Sequence, residues 1–224
     1  MTAADLVDSI RQALRESADP AIAPGQQAYM KSSMPFLGVK VPQARRIARQ
    51  AARGRKDAAE LRAAALELWR GATHREERYA ATEIMGLRPL RGRLDMLDVH
   101  EEMIRTGAWW DHVDEISHRL AETLDAHPEE LTPVLVAWAR DEDFWVRRAS
   151  IISQLGRRGD TDVALLVSAI QPNIADTEFF IRKAIGWALR EYAKTDPEWV
   201  RTFVAAHEGE LSGLSRREAM KHLG

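Results

Sequence analysis

Apolar residues recur along this chain every three or four positions rather than in alternation, the spacing of helices with one buried face. Leu6, Ile10 and Leu14 follow Thr2 and Asp5, whose separation suits a capping box, so a helix is predicted to begin there. Pro42 stands where it can open a helix carrying Ile47. Leu61, Ala65 and Leu68 line another that should end at Gly71, and Leu94, Leu97 and Ile104 continue the pattern. Further helices are predicted over 131–138, around 148–155 and over 184–192, with a last one opened by Ser215 and Glu218 as its capping-box partner. No segment reads as a strand.

The helices carry a repeat. Arg78-Tyr79-Ala80, Arg147-Arg148-Ala149 and Arg182-Lys183-Ala184 superpose, and the last two lie 35 residues apart. The first two are separated by about twice that interval, so an intervening unit should place its counterpart of Ala149 at or beside Asp114, in Trp109-Trp110-Asp111-His112-Val113-Asp114. A helical period of this length, with short connectors containing Pro128, Pro172 and Pro197, predicts an all-α chain of HEAT-like repeats stacked into a curved solenoid whose concave face takes a large ligand. An irregular helical bundle is the competing architecture.

At 224 residues, with 45% hydrophobic and 29% charged residues, the chain is expected to form one globular domain over 1–224. No apolar run approaches the roughly 20 residues that span a bilayer, and the N-terminal segment has no signal-like pattern, so a cytoplasmic monomer is expected. The absence of cysteine removes disulfides, thiolate metal sites and cysteine nucleophiles together. His112 and His118 lack the spacing of a zinc helix and no HExxH occurs, so neither metal nor other cofactor is expected. The net charge of −2 argues against broad phosphate affinity. Basic clusters at Arg45, Arg46, Arg53, Arg55 and Lys56, and again at Arg147, Arg148, Arg182, Lys183, Arg190 and Lys194, leave room for a local basic face. Such clusters also arise as solvated helix surfaces.

Asp114 draws notice because the superposed repeats carry alanine, and a carboxylate in that slot must be paired or wet. Trp110 lies one helical turn earlier on the same face. Two readings stay open: Asp114 and Trp110 form a reactive unit, or Asp114 pairs with an arginine such as Arg148 across the repeat boundary. Arg148 and Lys183 occupy one position in neighbouring repeats, which fits a ridge of phosphate contacts and equally a ladder of internal ion pairs. Trp187 stands where the preceding repeat has Ile152 and can be read as a larger core residue, and Tyr29 as a packing residue near a ligand face.

At these residues the chain resembles the AlkD-like DNA alkylation repair family, DNA glycosylases built from HEAT-like repeats. The similarity runs through QQAYMKSSMPFLGV (26–39), WWDHVD (109–114), FWVRRASI (144–151), EFFIRKAIGWALREYAKTDP (178–197) and LSRREAMKH (214–222), covering nearly the whole chain. By these matches the family's functional residues fall on Trp110, Asp114, Arg148 and Trp187, and all four residue types are retained. The resemblance implies hydrolysis of the N-glycosidic bond of cationic N3- and N7-alkylated purines in double-stranded DNA, as in base excision repair. Asp114 would steady positive charge developing on the sugar, Trp110 and Trp187 would flank the lesion, and Arg148, Lys183 and Tyr29 would contact the backbone. The net acidity departs from the basic character such a partner favours. A noncatalytic repeat scaffold binding DNA or a protein is the alternative, since a fold alone does not establish activity.

Overall fold

A computed structural model describes residues 2–223, and among them every regular element is a helix. They gather into two compact units, Met1–Arg91 and Gly92–Gly224. No helix among the described residues is long and apolar enough to cross a membrane.

The first unit holds α1 (Ala3–Glu16), α2 (Ala23–Met30), α3 (Val41–Ala51), α4 (Ala58–Arg70) and α5 (Arg75–Met85). The expected capping box closes α1: the Asp5 carboxylate accepts the Thr2 N–H at 2.6 Å, and the Thr2 hydroxyl accepts the Asp5 N–H at 3.3 Å. Pro42 lies in the first turn of α3, where a missing N–H costs nothing, and α4 ends at Gly71. The fully buried Leu6, Ile10 and Leu14 of α1 pack against α3 and α4, while α5 covers the same two helices.

Glu76, fully buried in α5, accepts the N–H groups of Leu37, Gly38 and Val39, each at 3.0 Å. Gly38 has φ +88°, and a Cβ there would fall 2.0 Å from the Asp19 carbonyl oxygen, so only glycine fits. This carboxylate pins the loop that follows α2.

The second unit holds α6 (Leu97–Gly107), α7 (Trp110–Ala126), α8 (Pro128–Trp138), α9 (Phe144–Ile151), α10 (Val163–Ile170), α11 (Phe179–Tyr192), α12 (Pro197–Ala206) and α13 (Gly213–Met220). Helices α7, α9 and α11 form a row, with α9 touching both neighbours, and α13 packs on α11. Both α9 and α11 begin several residues earlier than predicted, because Asp143 and Glu178 cap them through the N–H groups of Trp145 and Phe180. Their first turns are aromatic, which masks the helical period in the sequence.

The repeat appears in the buried faces. Val146, Ala149 and Ser150 of α9 match Ile181, Ala184 and Ile185 of α11, and Val113, Ile116 and Ser117 repeat the spacing in α7. Ile116, not Asp114, therefore fills the alanine slot. The register of α7 is displaced by two residues from the expected one, which moves Asp114 from the core to its rim. The last helix departs from expectation too. Ser212 caps α13 by accepting the Ser215 N–H at 3.0 Å, while Ser215 sits within the first turn and donates its hydroxyl to the Arg182 carbonyl at 2.9 Å.

Candidate active site

Asp114 lies in the second turn of α7 and faces Arg148 of α9. The guanidinium grips the carboxylate with two parallel bonds, Nε to Oδ1 at 2.8 Å and Nη2 to Oδ2 at 3.0 Å. Its third edge is also fixed, because Nη1 donates to the Phe180 carbonyl at 2.6 Å. Arg148 is nearly buried, its side chain 5% exposed, whereas Asp114 keeps 17% of its side chain open. The pair thus presents the carboxylate to solvent and hides the arginine behind it.

An aromatic wall backs this pair. Trp109, Trp145 and Phe180 pack with ring centroids 5.9 Å (Trp109 to Trp145), 5.5 Å (Trp109 to Phe180) and 4.8 Å (Trp145 to Phe180) apart. The Arg148 guanidinium carbon lies 5.9 Å from the Phe180 ring centroid. Burial pushes the Asp114 carboxyl above the ordinary carboxylate range, and the hydrogen bonds and charge of Arg148 pull it back without cancelling the effect.

Trp110 opens α7 one turn before Asp114 and is half-buried, with room for a ligand to reach it. Trp187 is also half-buried, on α11, with part of its ring against the apolar core. Its neighbour Gly186 makes the close approach of α13 possible: a Cβ there would lie 2.5 Å from the Glu218 Cβ and 2.9 Å from the Ser215 carbonyl oxygen. Lys183, on the same helix, pairs with Glu218 at 3.0 Å. Tyr29, in α2 of the first unit, is 77% exposed.

Of the candidates, Asp114 and Arg148 are in direct contact, as the pairing alternative anticipated. Both sequence superposition partners, Arg148 and Lys183, carry an acidic partner, so the ladder of internal ion pairs is present; Arg105 with Asp141 at 2.6 Å adds another member joining residues about one repeat apart. His112 is buried and His118 exposed, and among the described residues no group of three or more His, Cys, Asp or Glu converges as metal ligands would.

Four residues that the sequence reading did not single out for the site shape it: Trp145 and Phe180 as wall and anchor, Trp109 as the third ring, and Glu218 as the partner of Lys183. A signal for two of them was present, since Phe144-Trp145 and Phe179-Phe180 are aromatic doublets one period apart. Glu218 left no such trace, because its spacing from Ser215 matched a local capping pattern.

A search of curated protein sequences returns no match. A solved structure described as a predicted DNA alkylation repair enzyme from Enterococcus faecalis superposes with a TM-score of 0.82 at 30% identity, covering 93% of this chain and 97% of that one. AlkD2 from Streptococcus mutans shares the fold at a TM-score of 0.65 and 15% identity, covering 82% of this chain and 90% of its own. The smu.31 structure from Streptococcus mutans UA159 does so at 0.64 and 15%, covering 81% and 92%. The family model described as DNA alkylation repair enzyme matches residues 10–223, and with that extent of agreement the chain belongs to the DNA alkylation repair enzyme family.

Proposed function

We propose that this chain is a monofunctional DNA glycosylase that hydrolyses the N-glycosidic bond of cationic N3- and N7-alkylated purines in duplex DNA. The observation that carries the reading is Asp114, a carboxylate held rigidly by a buried arginine yet open at the rim of α7. Family membership supplies the damaged-DNA context.

The chemistry needs few groups. A purine alkylated at N3 or N7 already bears positive charge, so when the C1′–N bond breaks its electron pair returns to the ring and the base leaves neutral. No acid is required to protonate it. Positive charge instead grows on the deoxyribose, and a preorganised carboxylate opposes that charge most effectively where water is partly excluded. Arg148 uses one acceptor position on each Asp114 oxygen, which leaves lone pairs to face the sugar and orient water. Water attacks C1′, and its proton passes to the Asp114 carboxylate and on to solvent as the new C–O bond forms.

Trp110 and Trp187 act as electron-rich surfaces beside the cationic sugar and base, each contact worth about 0.5 to 2 kcal/mol. Arg148, fixed on all three edges and nearly buried, serves by holding Asp114 in place rather than by meeting a backbone phosphate. Lys183 adds a phosphate contact that carries no sequence information. Tyr29, exposed on α2, is available for a backbone contact of its own.

The test is release of 7-methylguanine and 3-methyladenine from methylated duplex, with the native protein, Asp114→Asn and an enzyme-free control. The native protein should release base above spontaneous depurination, and Asp114→Asn should lose at least about 100-fold in rate. Duplex binding by both proteins without release above background would favour a noncatalytic scaffold.

A further inference from the structure

On α11, Lys183 and Arg190 project from positions two helical turns apart, and between them Gly186 admits the backbone of α13. Glu218 of α13 enters this gap. One carboxylate oxygen meets Lys183 Nζ at 3.0 Å and the other accepts from Arg190 Nη1. Lys221, one turn further along α13, contributes a third positive charge to the field around Glu218, whose carboxyl is held below its usual range chiefly by Lys183. Lys183 and Arg190 grip the acid directly, and Lys221 adds to the positive field. The Lys183 side chain is 37% exposed and Glu218 18% exposed, so an external anion can reach the cluster. Ser215 anchors the arrangement from beneath by its hydrogen bond to the Arg182 carbonyl.

A carboxylate bridging a lysine and an arginine presents two oxygens to two donors, as a phosphodiester does with its nonbridging oxygens. The pairs differ in how readily they exchange. Lysine is a flexible, strongly hydrated point charge that can leave one oxygen for another at little cost, while the arginine keeps its carboxylate in place.

Building on the glycosylase reading, we infer that Lys183, with Lys221 beside it, forms a seat for a DNA phosphodiester and that Glu218, held by Arg190, is its internal stand-in, limiting the affinity of the second unit for undamaged duplex. On DNA binding, Lys183 turns from Glu218 to the phosphate, and Arg190 retains the carboxylate. An enzyme that must search long stretches of intact DNA gains from such a brake, because each extra unscreened cation lengthens its stay on every undamaged site. It also bears on how a chain of net charge −2 handles a polyanion: its cations are held in internal pairs and released locally.

The experiment measures binding of an undamaged fluorescent duplex by anisotropy across a series of chloride concentrations, for the native protein, Glu218→Gln and the double variant Glu218→Gln/Lys183→Met. Glu218→Gln should bind about three- to tenfold more tightly at low salt, and the double variant should lose the gain and show a log–log salt slope shallower by about one unit. Unchanged affinity in Glu218→Gln overturns the inference. Should Glu218→Gln fail to fold, Lys221→Met serves instead: a shallower slope supports the seat, and an unaltered slope refutes it. Inorganic phosphate replacing chloride at matched ionic strength separates a free-anion site from a duplex seat. Selective competition by phosphate that also abolishes the difference between native and Glu218→Gln would overturn the duplex assignment. Base release is measured separately, so its absence alongside altered slopes would remove the glycosylase reading and leave the seat intact.

Discussion

The pairs Asp114 with Arg148 and Glu218 with Lys183 use related positions of neighbouring helices for opposite ends. In the first, a planar guanidinium holds both carboxylate oxygens, is tied to the Phe180 carbonyl and is 5% exposed beside the Phe180 ring. In the second, a single ammonium meets one oxygen at 3.0 Å with 37% of its side chain in water, and Arg190 shares the acid. The difference shows how one repeated helix position can carry a fixed arginine clamp in one repeat and a hydrated lysine in the next. Arginine suits the first task because its fork fixes direction as well as distance; lysine suits the second because it gives up a partner readily.

The largest effect is expected at Arg148. Arg148→Ala would leave the largely buried Asp114 without its partner, which costs roughly 3 kcal/mol and lowers the melting temperature by about 6 to 12 °C. The sign with pH follows from the raised carboxyl. Without Arg148 its pKa climbs further, so the deficit is largest where Asp114 must be ionised and shrinks as acid neutralises it. Base release should lose activity on its acid side at a higher pH in Arg148→Ala than in the native protein. Melting curves and rate profiles recorded over one pH series check both, and an unmoved acid limb would mean that Arg148 does not govern Asp114.

A smaller effect is expected at Gly186, which sets the distance between the two regions' shared helix and α13. The methyl of Gly186→Ala would stand 2.5 Å from the Glu218 Cβ and 2.9 Å from the Ser215 carbonyl oxygen, and backbone cannot yield as a flexible side-chain tip does. Overpacking of this kind costs about 1 to 3 kcal/mol. Thermal melting should show that loss, and accelerated hydrogen exchange confined to α13 would locate it. Unaltered stability would show that α13 rides on α11 more loosely than the contact implies.

Much of the scaffold was legible because its causes are local. The capping box at Thr2, the entry of Pro42 into α3 and the stop at Gly71 depend on neighbours in sequence, and each appears where the pattern placed it. The contact between Asp114 and Arg148 was visible as one of two alternatives, since repeat spacing brings such residues opposite each other. The two-residue displacement of α7 was not, because Asp114 and Ile116 both fit a helical period and only packing decides which one enters the core. Ser215 and Glu218 misled for the same reason: their spacing allowed a local cap, but Ser212 was available for that role and Glu218 had two cations waiting on α11. The bond from Arg148 to the Phe180 carbonyl had no side-chain signature at all.

The smallest effect sharpens the comparison. Lys183→Met removes an ion pair whose lysine is well hydrated, and pairs of this kind contribute about 0 to 1 kcal/mol. Glu218 keeps Arg190, so no buried charge is stranded, and methionine preserves most of the stem that packs along α11. Melting should therefore move by no more than a few degrees, in contrast to Arg148→Ala. Duplex affinity should nevertheless fall and its salt dependence become shallower by about one unit, because the lost cation is the one available to phosphate. A large loss of stability with unchanged salt dependence would reverse the assignment: Lys183 would then be the structural member, and the functional contrast between the two pairs would not exist.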